Sequence, residues 1–303
     1  MSGSPYLHFQ GITHHYRDLM ALNAVSGSVP GGSICGFIGP DGAGKSTLFR
    51  MIVGLLRPDS GRIIFADPSA RQPGQIGYMP QQFSMYPDLT VGENLRFFAR
   101  LYRIGETTGR ERYDRLLAFS RLTDFTDRKS ENLSGGMKQK LALISVLMYT
   151  PPLLILDEPT TGVDPMARTE LWEMLHQLKA EGHTILVSTP YMEEAVQCDT
   201  VHFMSHGQII AADSPPQLQK QYPYSLFALR GPDILKVTER IESLDWISLA
   251  YPKGDRLHLG LADREITEQQ VLRKLQPYID DRYRLYRIPP GMEDVYTALE
   301  QTT

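Results

Sequence analysis

Gly39-Pro40-Asp41-Gly42-Ala43-Gly44-Lys45-Ser46-Thr47 fits the pattern G-x-x-x-x-G-K-[ST], a phosphate-binding loop. The apolar run Ile34-Cys35-Gly36-Phe37-Ile38 before it reads as a buried strand. Leu48-Phe49-Arg50-Met51-Ile52-Val53 after it opens a helix. Strand, loop and helix in that order are what the motif requires. The glycines let backbone N–H groups turn inward around phosphate oxygens, and the helix N-terminus adds the positive end of its dipole. Lys45 would reach the β- and γ-phosphates as a point charge, and the Ser46 hydroxyl would ligate Mg²⁺. A nucleoside triphosphate is therefore the expected ligand, and the rest of the chain has to say what its energy is used for.

The 303 residues, 42% of them hydrophobic, are enough for one large domain or two smaller ones. Basic and acidic side chains number 31 and 35, a net charge of −4 that gives no support to nucleic-acid binding. Cys35 and Cys198 lack metal spacing and read as small core residues of a reducing compartment. Met1-Ser2-Gly3-Ser4-Pro5 has no basic and apolar leader pattern, and no apolar run has the length of a membrane span. The expectation is a cytoplasmic chain able to dock on a membrane protein.

Along the chain, residues 6–9 and 24–29 read as short strands around a polar turn at Arg17-Asp18. The helix after Lys45 is expected to reach about Leu56, with strands at 62–66 and 75–79. From about 85 to 150 the spacing turns helical, an insertion whose last helix opens at Ser134-Gly135-Gly136. A fully apolar strand, Leu153-Leu154-Ile155-Leu156, a helix at about 165–181 and a strand at 184–188 follow. Alternating strands and helices imply a mostly parallel sheet covered on both faces. Pro215-Pro216 marks a change of composition, giving expected domains at 1–220 and 224–303. The second reads β-α-β-β-α-β, a ferredoxin-like split motif, with Thr267-Glu268-Gln269-Gln270 as a capping box and a short helix at 293–299.

Two further stretches carry chemistry. Asp157-Glu158 ends the buried apolar strand. Asp157 would hold Mg²⁺, and Glu158 would orient or polarise an attacking water. Leu133-Ser134-Gly135-Gly136-Met137-Lys138-Gln139 offers a hydroxyl, flexible amides and a helix N-terminus. That is either an anion site or an ordinary helix cap with glycines.

With these three motifs in order, the chain resembles the nucleotide-binding subunit of an ABC transporter over about residues 6–215. The loop wording, the signature stretch and the ferredoxin-like tail look most like the drug- and lipid-export branch that pairs with ABC-2-type permeases. The resemblance implies ATP and Mg²⁺ as ligands, with Glu158, Lys45 and Gln81 as the catalytic group and Gln81 joining Ser46 and Asp157 at the metal. It places Tyr16 on the adenine, though Tyr16 is also an acceptable strand aromatic. Gln81 in Tyr78-Met79-Pro80-Gln81 falls at the Q-loop, with Gln82 as the alternative register. Asp164 falls at the D-loop and also suits a helix cap before Pro165. Ser134, Gly135, Gly136 and Gln139 would act on the ATP of a second ATPase subunit, in a homodimer or a heterodimer. The implied site is the inner face of the cell membrane, with an integral permease and no nucleic acid as partner.

One position departs from the family. In Ser188-Thr189-Pro190-Tyr191-Met192-Glu193-Glu194-Ala195 the switch histidine is replaced by Pro190. Proline offers neither a side-chain donor nor a backbone N–H. His183, at the start of the same strand, is expected roughly 20 Å away. Two explanations follow. The remaining groups suffice for hydrolysis, or the chain is the weakly hydrolysing, regulatory member of an asymmetric pair. A soluble ATPase of the same type acting on ribosomes or nucleic acid is the rival from another class. It usually carries two cassettes or a long coiled coil, and neither occurs in this sequence.

Overall fold

The structure, a computed structural model, describes residues 5–301. The first four residues, read above as lacking a leader, lie outside it. Two compact units divide at Pro215 and Pro216. Residues 216–220, expected at the end of the first domain, fall in the second unit.

The first unit opens with a long hairpin, β1 (Pro5–Tyr16) and β2 (Leu19–Pro30). It is followed by β3 (Ile34–Ile38), α1 (Lys45–Ile52), β4 (Ser60–Phe65) and β5 (Ile76–Met79). The hairpin is much longer than the two short strands expected, because register shifts along it let polar residues such as His14 and His15 stay paired. The first helix ends before Leu56 because Gly54 turns left-handed at φ 81°. The insertion comprises α2 (Val91–Leu101), α3 (Glu106–Ser120) and α4 (Gly135–Leu147). Then come β6 (Leu153–Asp157), α5 (Pro165–Ala180), β7 (Thr184–Thr189), β8 (Thr200–Ser205) and β9 (Gln208–Asp213).

Six strands form one sheet in the order β5-β6-β7-β3-β8-β9, parallel except for the β8–β9 hairpin. The parallel strands β3, β6 and β7 are buried at every residue, as their unbroken apolar runs require. The other sheet has the order β2-β1-β4. Leu7, Phe9, Leu22, Val25 and Val29 from it pack with Phe37, Phe49, Leu153, Ile155 and Leu186 in one apolar cluster. Residues of opposite parity, Leu154, Leu156, Ile185 and Val187, are also buried. On the helical side α4 packs on β5 and α5 on β3 and β7.

One polar ring lies inside this core. His202 on β8 is buried, stacked on Phe37 with centroids 4.8 Å apart, its Nδ1 3.3 Å from the Cys35 thiol. Burial lowers its pKa from the ordinary 6.5 to about 4. The unfolded chain therefore binds a proton at higher pH than the folded one. This neutral ring's contribution is complete above about pH 6.5 and is lost as pH falls through about 4, a loss of roughly 3 kcal/mol. Urea unfolding at pH 7.5 and 4.5 should show that loss in the native protein and a smaller one in H202F.

The second unit begins at α6 (Pro215–Lys220) and continues with β10 (Ser225–Arg230), α7 (Ile234–Ile241), β11 (Leu249–Lys253) and β12 (Arg256–Leu261). It closes with α8 (Glu268–Leu275), β13 (Arg284–Arg287) and α9 (Met292–Glu300). The sheet order is β11-β12-β10-β13 with every neighbour antiparallel, the arrangement of a split β-α-β motif. The capping box at Thr267 and Gln270 opens α8. Phe227, Leu229, Leu257 and Leu259 meet α7 and α8 through Val237, Ile241, Val271 and Leu275. From the alternate parity, His258 bonds the buried Asp294 of α9 at 2.6 Å.

Candidate functional site

The phosphate loop hangs between β3 and α1, and its glycines are there for space as well as for torsion. Gly42 and Gly44 take φ of 83° and 99°. A Cβ on Gly39 would sit 2.1 Å from the Met204 carbonyl oxygen, and one on Gly44 would sit 2.7 Å from that of Ala21. Pro40 and Asp41 form the exposed tip, and the Ala43 N–H bonds back to the Pro40 carbonyl at 3.2 Å. Lys45, Ser46 and Thr47 form the first turn of α1, where backbone N–H groups lack intrahelical acceptors. The buried Lys45 ammonium donates to the carbonyls of Gly39 at 2.7 Å and Pro40 at 2.9 Å.

Asp157 and Glu158 are neighbours, so on a regular strand they would face opposite sides. Glu158 instead adopts φ 52°, a left-handed conformation uncommon for a side chain of its size. The alternation breaks there, and both acids meet the loop. Ser46 Oγ donates to Asp157 Oδ1 at 2.9 Å. Lys45 Nζ stands 3.5 Å from Glu158 Oε1, both groups buried. Gln81 Nε2 donates to Glu158 Oε2 at 2.9 Å, joined by the Thr161 hydroxyl at 3.2 Å. It is Gln81 and not Gln82 that makes this bond.

Three supporting residues were missed from sequence. The Ser188 hydroxyl, at the inner end of β7, donates to Asp157 Oδ1 at 2.6 Å and accepts from the Glu158 N–H at 2.9 Å. One side chain thereby sets both acids. The clue was a serine closing an otherwise apolar strand. The Tyr78 hydroxyl reaches toward Asp157 Oδ2 at 3.5 Å. Burial, and then the Asp157 charge, raise its pKa and keep it a donor. Arg50 on α1 lies near the hydroxyls of Tyr78 and Tyr16. Tyr16, half-exposed at the end of β1, lies edge-on to His14 with centroids 4.8 Å apart. His14 and His15 bond the two oxygens of Asp59.

Asp164 caps α5, accepting from the N–H groups of Met166 and Ala167. Ser134 caps α4, accepting from Met137 N–H. A Cβ on Gly136 would meet the Ala167 Cβ at 2.4 Å, so this glycine is also required for helix packing. Among the described residues no hydrogen bond joins 134–139 to the phosphate loop. Pro190 follows β7 directly, and its neighbour Thr189 accepts the Gly39 N–H at 3.3 Å. His183 bonds the Pro151 carbonyl at the far end of the strand.

A loop of backbone donors and a lysine, a hydroxyl paired with an acid, and a second acid beside both make an NTPase site in a parallel sheet. A family model described as ABC transporter matches residues 22–161. The chain is 43% identical over 261 residues to the probable multidrug ABC transporter ATP-binding protein YbhF of Escherichia coli, covering 84% of this chain and 45% of that one. It therefore spans less than half the length of that relative. It is 40% identical to the Nod factor export ATP-binding protein I of Burkholderia orbicola, over 99% of this chain and 98% of that one. Among solved structures it resembles cbiO1 from Clostridium perfringens, part of the ABC transporter complex cbiONQ, at 29% identity and TM-score 0.66, covering 78% and 96%. It also resembles a dimeric ATP-binding cassette in a post-hydrolysis state with ADP and Pi, at 25% identity and TM-score 0.62, covering 69% and 98%. The chain belongs to the ABC transporter family, as one of its ATP-binding subunits.

Proposed function

We propose that this chain hydrolyses ATP to drive export through a separate integral-membrane permease. The observation that carries this is the bonded circuit of Lys45, Glu158 and Gln81 beside Ser46 and Asp157. Tyr16 stacks on the adenine, and residues 39–47 enclose the phosphates. Ser46 and Asp157 are hard oxygen donors on one point, which suits Mg²⁺, with Gln81 within reach of the same acids. When bound, the ion neutralises charge on the β- and γ-oxygens. Glu158 accepts the proton of the attacking water, and Lys45 stabilises the charge that develops on the γ-phosphoryl group. Ser134 and Gly135, exposed at the start of α4, together with Gly136 and Gln139 complete the site of a second ATPase subunit, with Asp164 at the same interface. The dimeric relative with ADP and Pi supports that arrangement.

ATP then acts as a ligand that favours the closed pair, and hydrolysis restores the open one. Gln81 lies between Glu158 and the helical insertion, the surface offered to the permease. Export follows the names of relatives matched over nearly their whole length, and a permease of ABC-2 type follows the resemblance of the loop, signature and tail sequences. No helix among the described residues is long and apolar enough to cross a membrane. The proposed place is the inner face of the membrane, held there by the permease. Pro190 favours a second reading, a slow subunit in an asymmetric pair. The experiment is purification from membranes on a tag carried by this chain. Recovery of a permease with ATP turnover supports the proposal. A complex holding a second, different ATPase that keeps its turnover when Glu158 here is changed to Gln supports the asymmetric reading. Recovery without any membrane protein overturns both.

A further inference from the structure

Immediately beyond Pro190 is a buried acid that the scheme above leaves unused. The Glu194 carboxylate is 3% exposed and receives the Thr160 hydroxyl at 3.0 Å. Thr189 and the Trp172 indole also face it. Arg168 Nε, in the first turn of α5, stands 3.6 Å from Glu194 Oε1, just beyond hydrogen-bonding distance. Arg168 lies 4.1 Å over the Tyr191 ring, and its other arm points to Glu193 at 3.5 Å. Arg168 Nε, Trp172 Nε1 and Glu194 Oε1 are all buried without a hydrogen-bond partner. Three such atoms around one carboxylate leave the network open, with Arg168 Nε the group placed to close it.

Each spoke leads to the site. Thr160 stands two residues past Glu158, whose carbonyl accepts the Thr161 N–H, while the Thr160 carbonyl accepts the Val163 N–H ahead of Asp164. The Thr189 hydroxyl accepts the Tyr191 N–H at 3.1 Å across Pro190, and the Thr189 carbonyl holds the Gly39 N–H at 3.3 Å. Arg168 N–H bonds the Asp164 carbonyl.

We propose that Glu194 is a positioning residue for ATP hydrolysis, resting on the function proposed above. Through Thr160 it sets the loop that follows Glu158. Through Thr189 it holds the turn at Pro190 against the phosphate loop. Through Arg168 it makes both depend on the first turn of α5, the element that carries Asp164. Where the family uses a histidine on the γ-phosphate, this chain stiffens the backbone behind that place. Closing the Arg168–Glu194 gap is the step that completes the site.

Burial raises the Glu194 pKa against the pull of Thr189, Thr160, Trp172 and Arg168. Arg168 from α5 faces it and also meets Tyr191 and Glu193, while the Cys198 thiol, close enough to feel its charge, bonds the Glu194 backbone carbonyl. Protonation at acid pH removes the charge that attracts Arg168, so turnover should fall on that side.

The experiment uses the complex recovered on the tagged chain, comparing native, E194Q, T160V and R168Q proteins from pH 5.5 to 8.5. E194Q keeps a hydrogen-bonding group of the same shape. It should lower kcat on the order of tenfold while KM for ATP stays within about twofold. Its acid limb should lie at lower pH than the native one. R168Q should match its loss of kcat, with the acid limb moved instead to higher pH because the Arg168 charge no longer holds the Glu194 pKa down. If E194Q loses its cooperative thermal transition, T160V carries the same expectation for kcat, with its acid limb moved to higher pH because the Thr160 bond that lowers the Glu194 pKa is gone. Native kcat and an unmoved acid limb in both E194Q and T160V overturn the inference, as does a loss that appears in KM alone. A native complex with no ATP turnover overturns the proposed function itself, which separates the two failures.

Discussion

Glu158→Gln should lower ATP turnover by about two to four orders of magnitude, the usual contribution of a general base, while leaving ATP binding almost intact. The expectation comes from what the side chain touches. Its Oε2 takes bonds from Gln81 and Thr161, and its Oε1 lies beside Lys45. Glutamine keeps the shape and one acceptor, so the loop and its torsions should survive. What disappears is the ability to accept a proton from water and the charge beside Lys45. An ATP-bound pair that cannot hydrolyse should accumulate. Size-exclusion chromatography with ATP and magnesium should show a dimer for E158Q and a shorter-lived one for the native chain. An E158Q protein that stays monomeric with saturating ATP would count against the two-subunit site. One that turns over at native rates would remove Glu158 from the chemistry.

Lys45→Met should have two separable effects. In the protein without nucleotide, Lys45 is the cation beside a buried carboxylate and a double donor to the loop backbone. Removing one partner of a buried pair leaves the other uncompensated, and such changes cost about 3 kcal/mol or more. For a unit of this size that is a drop in Tm of roughly 6–12 °C. ATP affinity should also fall at least about a hundredfold, because charged hydrogen bonds to phosphate are lost. K45M/E158Q separates the two. With no carboxylate to strand, most of the stability should return while affinity stays low. Thermal melts and titration with a fluorescent ATP analogue measure them independently. If the double variant is as unstable as K45M, the lysine's role without nucleotide is to hold the loop carbonyls, not to balance Glu158.

Much of the site was legible because its groups sit at chain-local positions. A phosphate loop is one continuous stretch, and its glycines, lysine and serine are recognisable wherever it folds. The same is true of an acid pair ending an apolar run, and of the capping box at Thr267. The long hairpin was not legible, because its outer half is polar and its pairing depends on bulges. Nor was the β8–β9 pairing, where partly buried residues give no alternation.

By itself the sequence determined the order of the strands and helices other than β8 and β9, the ligand class and the identity of the loop, because each depends on residues close together in the chain. It also showed that Pro190 cannot do a histidine's work. Only the tertiary structure decided that Asp157 and Glu158 face the same loop, since that rests on one left-handed torsion at Glu158. Only it decided that Ser188 fixes both acids and that Glu194 gathers Thr160, Thr189 and Arg168. Apart from Thr189 and Glu194, those contacts join residues about 26 to 34 positions apart, on segments that the fold brings side by side. No local propensity encodes which polar side chains will meet there. Burial forces them to find one another, and the partners they find define how the site is held.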